Sequence, residues 1–474
     1  MILNSIPYLI FIALSVTVYY LLPTRFKNAF LLLSSYVFYI WAIPKYAVLL
    51  LFVTTGSYFA ARFIEKEERP KAKKAYMAVT VTLLVLLLAV FKYFNFFMAE
   101  ITSLLGLFGV TLAPIELKWA LPLGISFYTF QVVGYLVDVY HGKTKSEKSF
   151  IDYALFVSFF PQILSGPIGR ANELLPQYKE EHKFDYGNIV AGLQRFLMGA
   201  FKKVVLADGI GKIVGGIYAN LHEYQGFALI AAVLLYALQL YFDFAGYTDM
   251  AVGSARLLGF RLRENFRQPY FATDMGDFWS RWHMSLTDWL RDYIYIPLGG
   301  NRKGFTRKLL NILIVFAVSG IWHGAGMPYL LWGLFHGVLR LIESLYAKAF
   351  PKREKTKNAF LIFLKRIKVY LLWAFSLIAF NVSTLSDAGY ILSNMFKNLS
   401  VSSFVAQVKY LISVNVDPST MFFLVFAVSL FVGLIICYFF DKKSFRLYSE
   451  DKSFDNNPLA LYKTKPRWLL YWLM

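Results

Sequence analysis

The sequence predicts an all-α, polytopic integral membrane protein with ten or more spans and some re-entrant or interfacial helices. Three observations predict it. Of its 474 residues, 58% are hydrophobic, 19% aromatic and only 16% charged, with a mean hydropathy of +0.50. That is more apolar than a soluble globular protein can bury. Apolar runs recur along nearly the whole chain, and several reach or approach the ~20 residues that carry a helix across ~30 Å of hydrocarbon. The alternating pattern of a membrane β-barrel is absent.

The runs fall at residues 6–22, 29–43, 47–64, 75–97, 121–140, 227–242, 309–321, 329–345, 369–380 and 421–440. The shorter ones are expected to be tilted, re-entrant or shielded by neighbours. The first run lacks a basic flank and a small-residue cleavage site, and leads into Leu21-Leu22-Pro23-Thr24. It therefore reads as a retained helix and not as a signal peptide. Basic residues crowd 66–74, 143–148, 352–368 and 442–467, which the positive-inside rule places in the cytoplasm. Residues 386–419 carry only Lys397 and Lys409 against Asp387 and Asp417, and read as external, as does the N-terminus. The net charge of +20, from 49 basic against 29 acidic residues, is spread between the runs. Loops facing anionic lipid explain it, and no nucleic-acid partner is expected. Cys437, the only cysteine, sits inside an apolar run, which excludes an internal disulfide and suits a small core hydrophobe. No fixed-period repeat or Gly/Ser linker divides the chain.

Three segments break the up-and-down pattern. Residues 156–168, "FVSFFPQILSGPI", are apolar but short and interrupted by Pro161, Gly166 and Pro167, as in a re-entrant or broken helix. Residues 189–206 are amphipathic, with Arg195, Lys202 and Lys203 between apolar faces, which suits an interfacial helix. The third is a polar excursion over 256–308, cytoplasmic by charge yet dense in aromatics. Within it, Phe278, Trp282, Leu286, Trp289 and Tyr293 follow helical spacing, with His283 at the edge of the apolar face.

Six histidines bound the chemistry. His141, His182 and His222 lie in polar loop-like stretches and read as surface residues. His323 follows the apolar run 309–321, and His336 lies inside the next run. An ionisable group at membrane depth is costly unless it meets a polar cavity or partner, so His323 is a functional candidate, with a hydrogen-bonded core histidine as the alternative. Gly320, Gly324 and Gly326 around it are expected to leave room for a substrate. An imidazole suits a general base on a hydroxyl. No HxxxH or HExxH pattern supports a metal, and GxSxG, Walker A and Rossmann fingerprints are missing. Asp243 and Asp249 in "YFDFAGYTDM" reach a membrane boundary. Six residues apart, they do not share a helix face, so they are expected to line a polar funnel or orient a histidine. Asp138, near the end of its run, has a similar choice against a plain helix-end carboxylate.

Two stretches then carry a resemblance: "DFWSRWHMSLTDWLRDYIYIPLGGNRKG" at 277–304 and "SGIWHGAGMPYLLWGLFHG" at 319–337. Together they resemble the membrane-bound O-acyltransferase family, and more narrowly the membrane subunits of bacterial alginate and peptidoglycan O-acetyltransferases. The likeness extends to "LPLGISFYTFQVVGYLVDVY", "FFPQILSGPIGR", "GAFKKVVLAD" and "YFDFAGYTDMAVGSARLLGFRLRENFRQPY", and so covers most of the chain. It implies a helical fold with a central tunnel through a bacterial cytoplasmic membrane. Residues 1–120 would supply N-terminal spans, 121–346 a catalytic core with a cytoplasmic interfacial segment at 253–308, and 347–474 C-terminal spans, all in one domain.

The resemblance also implies two tunnel histidines, His323 from the WHG motif and His283 from the RWH motif. His323 would be general base or proton shuttle, and His283 would position or polarise a thioester carbonyl. Trp282, Arg281, Trp322, Asp243, Asp249, Asn265, Arg291 and Tyr293 are the further tunnel candidates. The basic segment 291–308 would receive the anionic part of a coenzyme A or carrier-protein donor. No cofactor is implied. An extracytoplasmic acetyltransferase of the SGNH type is the implied partner, handing the acyl group to an exported glycan. Relatives continue through a full last helix, whereas here an apolar run opens at Trp468 and the sequence stops at Met474, so that span is expected to be missing if the protein ends there, which would put partner docking on the outer face in question. Two other functions fit the residues. One is D-alanyl transfer to teichoic acid. The other is a proton-coupled transporter or lipid flippase using His323, Asp243 and Asp249, for which inverted repeats would be expected and none is seen.

Overall fold

The computed structural model describes residues 2–110, 113, 115–351, 357–382, 384–415, 420–450, 459 and 470, and among these it is helical without a strand. The helices α1 (Ile6–Leu21), α2 (Thr24–Ala42), α3 (Ala47–Lys66) and α4 (Pro70–Leu107) take up the first four apolar runs. After them come α5 (Ile125–Tyr140), α6 (Phe150–Ser158), α7 (Ala171–Lys179), α8 (Tyr186–Ala200) and α9 (Asp208–Ala219). The long α10 (Phe227–Leu257) leads to the short α11 (Met275–Trp279) and α12 (Met284–Leu290). Then follow α13 (Phe305–His323), α14 (Met327–Ala349), α15 (Ala359–Phe380), α16 (Leu385–Asn394), α17 (Val401–Asn415) and α18 (Thr420–Glu450). The apolar run that opens at Trp468 lies outside the described residues, Leu470 apart.

Among the described residues, four stretches are long and apolar enough to cross a membrane: Pro44–Lys66, Pro70–Leu107, Phe227–Leu257 and Phe305–His323. Helices α14 and α15 are long as well, but Arg340 and Glu343 in one and Lys365, Arg366 and Lys368 in the other lower their hydropathy.

The chain forms two compact units. The first comprises Met1–Phe196 and Met250–Glu264. Local signals start its helices: Ser5 caps α1 by accepting from the Tyr8 amide, and Pro70 occupies the first turn of α4. Tyr8 donates to Ser254 Oγ at 2.8 Å in its interior. Gly253 lets two backbones touch, since a Cβ there would stand 2.7 Å from the Gly192 carbonyl. The segment expected to be broken is so: α6 stops at Ser158, and 159–168 continue as buried turns around Phe159, Phe160 and Ile163. Gln162 ties this stretch to its neighbours by donating to Gln131 Oε1 at 3.3 Å and to the Phe156 carbonyl, in the last turn of α6, at 3.4 Å.

The second unit comprises Leu197–Asp249 and Asn265–Met474. Its core is aromatic, with Phe278, Trp282, Trp332 and Trp373 all at 4% exposure or less. The amphipathic stretch that begins in α8 ends in a π-helical turn, Phe201–Ala207, which carries Lys202 and Lys203. Helices α13 and α14 pack at a glycine seam: a Cβ on Gly320 would lie 2.4 Å from the Tyr329 carbonyl, and one on Gly333 2.3 Å from the Phe316 carbonyl.

Candidate active site

The helix expected over 278–293 is not continuous. It breaks between α11 and α12 at His283, whose backbone lies in the left-handed region (φ 43°, ψ 52°), and α12 then passes into a π-helical turn, Arg291–Tyr295. Helical spacing alone could not show this, because a single left-handed residue re-aims the axis without changing the hydrophobic pattern. For a non-glycine residue that conformation costs ~1–2 kcal/mol and persists only where surroundings impose it.

Asn265 imposes it. Its backbone carbonyl accepts from the Met284 amide at 2.9 Å. Its side-chain oxygen accepts from Ser285 Oγ at 2.6 Å and from the Ser285 amide at 3.3 Å. Its Nδ2 donates to Thr248 Oγ1 at 3.4 Å. Thus a fully buried asparagine outside the helix does the capping that the His283 side chain does not. Asn265, a tunnel candidate by sequence, holds the two residues that follow His283.

His283 is 2% exposed and meets Phe244 edge-on at 4.6 Å between ring centroids. Burial pushes its pKa down to about 3, so the imidazole is neutral near pH 7. Trp322 lies between the two candidate histidines, its ring 6.0 Å from His283 and 4.7 Å from His323. His323, the last residue of α13, is half-buried and also touches Trp332 at 4.9 Å and Phe380 at 5.4 Å. Phe380 is also a wall of a cavity of about 400 Å³, lined further by Tyr236, Tyr329 and Asn381. The two histidines expected to share a site therefore lie on one path of contacting rings that reaches a polar-walled cavity.

The neighbouring candidates fall into distinct places. Trp282 stacks on Phe278 at 5.5 Å and packs on Trp373 at 4.5 Å, a wall behind His283. Arg281 is held by Asp277 at 2.7 Å and by the Arg267 carbonyl at 3.2 Å, which pins the turn before His283. Asp243 and Asp249 are each taken up by a lysine, Asp243 by Lys203 at 2.5 Å and Asp249 by Lys202 at 2.8 Å. The π-helical turn makes both pairs possible by presenting two adjacent lysines. Arg291 is bridged to Asp288 at 2.7 Å and Asp292 at 2.9 Å, so it brings no net positive charge. Tyr293 packs on Trp289 at 5.1 Å. Arg302 and Lys303 are exposed and have no ion pair among the described residues. The room expected from Gly320 and Gly324 is filled by protein: the α14 backbone occupies one, and the Tyr329 ring, 2.2 Å from a Cβ on Gly324, the other.

His336 is a core histidine. Ser376 Oγ donates to the Trp373 carbonyl at 2.7 Å, so His336 Nε2 donates to Ser376 Oγ at 2.9 Å. Glu343 has a positioning role that sequence reasoning misses. Its carboxylate accepts from the Met275 amide at 2.6 Å and the Gly276 amide at 3.1 Å, capping α11, while pairing with Arg340. A carboxylate inside the apolar run 329–345 is the signal that could have found it. Tyr236 and Asn381 offered no such signal, since only folding brings them to one cavity.

Comparison with known proteins bears on this geometry. The model of "MBOAT, membrane-bound O-acyltransferase family" matches residues 145–386, which include both histidines. The chain is 36% identical over 337 residues to the "Probable alginate O-acetylase AlgI" of Pseudomonas putida, covering 70% of this chain and 68% of that protein. It is 34% identical over 409 residues to the "Peptidoglycan O-acetyltransferase" of Helicobacter pylori, covering 78% and 74%. Likeness to the "Teichoic acid D-alanyltransferase" of Bacillus subtilis is narrower, 30% over 238 residues, covering 48% and 60%.

Proposed function

Because the chain belongs to the membrane-bound O-acyltransferase family, we propose that this acyltransferase moves an acetyl group from a cytoplasmic thioester, through a tunnel in a fold of ten or more spans, to a hydroxyl acceptor. The observation that carries this reading is the ring path joining His283 and His323 through Trp322 and ending at the 400 Å³ cavity. The donor enters from the side of Arg302 and Lys303, whose charge attracts the phosphates of coenzyme A or of a carrier protein's prosthetic arm. Its carbonyl comes to rest at His283, a neutral imidazole able to donate an N–H to the oxygen that gains negative charge. The acceptor hydroxyl occupies the cavity beside Phe380, where the polar edges of Tyr236 and Asn381 suit an oxygen-rich group.

His323 takes the hydroxyl proton as the oxygen attacks the thioester carbonyl. The tetrahedral intermediate collapses by breaking the C–S bond, and the thiolate leaves with the proton that His323 returns. The product is an acetyl ester outside and a free thiol inside. We place the protein in a bacterial cytoplasmic membrane, feeding O-acetylation of an exported polysaccharide or cell-wall glycan through an extracytoplasmic acetyltransferase. Support for the acetyl group is the longer coverage of the alginate and peptidoglycan relatives over the D-alanyl ones.

Purified protein given radiolabelled acetyl-CoA tests the reading. Wild type should hydrolyse or transfer the label, and His323→Ala should do so ~10²–10⁴-fold more slowly, the range of a lost general base. Full activity in a folded His323→Ala protein would remove His323 from the chemistry. Inactivity of wild type with every thioester offered would count against the donor.

A further inference from the structure

Away from the histidine path, a groove of about 620 Å³ runs between α10 and α15, within the ~300–1,000 Å³ range that holds small ligands. Val233 and Leu234 on α10 face Leu371 and Phe375 on α15, and Met395 and Phe396, just past α16, complete the lining. Tyr370 fixes the spacing by donating to the Leu234 carbonyl at 2.7 Å. The α15 wall is open outward, with Leu364, Leu371 and Phe375 each 44–48% exposed. Eleven of the twelve lining residues are apolar, and the twelfth is Lys368.

Lys368 has no ion pair or hydrogen bond among the described residues. Its neighbour Arg366 is engaged elsewhere, donating to the Phe271 carbonyl at 3.2 Å with its guanidinium over the Phe271 and Phe445 rings. The groove is therefore left with a single ammonium in an apolar, outward-facing channel. Such a group is costly unless its head meets water or an anion.

We infer that this groove binds a phospholipid with an anionic headgroup. The acyl chain lies along the seam between α10 and α15, and the phosphate meets Lys368 Nζ. A basic side chain between membrane helices attracts such headgroups. The inference is independent of the acetyl-transfer reading, because none of the ring-path residues lines the groove.

Native mass spectrometry on protein released from nanodiscs of equal phosphatidylglycerol and phosphatidylcholine tests it. Wild type should retain phosphatidylglycerol about fivefold over phosphatidylcholine, the factor expected from ~1 kcal/mol for one basic side chain. Lys368→Gln should bring the ratio to about one while keeping total bound lipid, and Lys365→Gln should leave the ratio unchanged. Leu371→Trp, which fills the groove, should lower total retained lipid. Equal retention of both lipids by wild type, an unchanged ratio in Lys368→Gln, or undiminished lipid in Leu371→Trp would each overturn the proposal. So would displacement of the retained lipid by acetyl-CoA, which would assign the groove to the donor.

Discussion

His283 shows why a candidate site residue and its geometry are legible to different degrees. The RWH and WHG motifs name both histidines, but nothing in residue spacing announces that one sits at φ 43° on a break between two short helices. That conformation depends on Asn265, eighteen residues earlier, so only the folded chain reveals the clamp. Asn265→Ala should cost ~1–3 kcal/mol, the penalty of leaving the buried Ser285 donors unmet, and should lower kcat more than it changes KM. Asn265→Asp keeps the side-chain oxygen that accepts both Ser285 donors and should retain more activity than Asn265→Ala; equal losses would refute the clamp. The His283 imidazole makes a second prediction through pH. Its folded pKa is about 3 against ~6.5 in the unfolded chain. Between these values the unfolded chain holds a proton that the folded chain refuses, so stability rises with pH there and is fully present above ~6.5. Acidifying from pH 7 to pH 5 should therefore lower stability at up to ~1.4 kcal/mol per pH unit. Denaturant titrations in detergent should show that slope in wild type and its loss in His283→Phe. An identical slope in both proteins would assign it to other groups.

Element by element, the long apolar runs were the legible part. Those at 6–22, 47–64, 227–242 and 309–321 became helices with ends shifted by a few residues, or lengthened where polar flanks continued the turn, as α10 does through Leu257. The broken segment after Phe156 was also visible, because proline and glycine report local geometry. Element junctions were not. A π-helical turn at Phe201–Ala207 and another at Arg291–Tyr295 insert a residue into the register without any compositional mark. Of the glycines expected to leave room, Gly326 lines the cavity while Gly320 admits a neighbouring helix, as does Gly333, which sequence does not single out. Gly320→Ala or Gly333→Ala should thus cost ~1–3 kcal/mol by overpacking the seam, with activity falling as α13 shifts its terminal His323. Gly215→Ala, where an added methyl would meet nothing within 4 Å, should be neutral or slightly stabilising. Thermal unfolding of the three variants separates the cases, and a harmless Gly333→Ala would refute the close seam.

For the whole molecule, membrane character was legible from composition, and family membership from the motifs taken together. The count of full crossings was not, because four stretches among the described residues meet the length and hydropathy of a span while others carry charges within otherwise apolar helices. Charge instead gives a sidedness that can be checked: Arg302 should face the cytoplasm and Lys397 the exterior. Arg302→Cys should therefore resist a membrane-impermeant maleimide in intact cells and react in inverted vesicles, with Lys397→Cys behaving oppositely. Labelling of both from one side would reverse or break the assigned topology. The experiment is simplified by Cys437, the sole thiol, which packs at 2% exposure inside α18. A reagent that cannot enter the folded interior finds nothing to modify on the native surface. The wild-type chain is thus its own unlabelled background, and a single introduced cysteine gives a one-site map without first rebuilding the protein around a substitution.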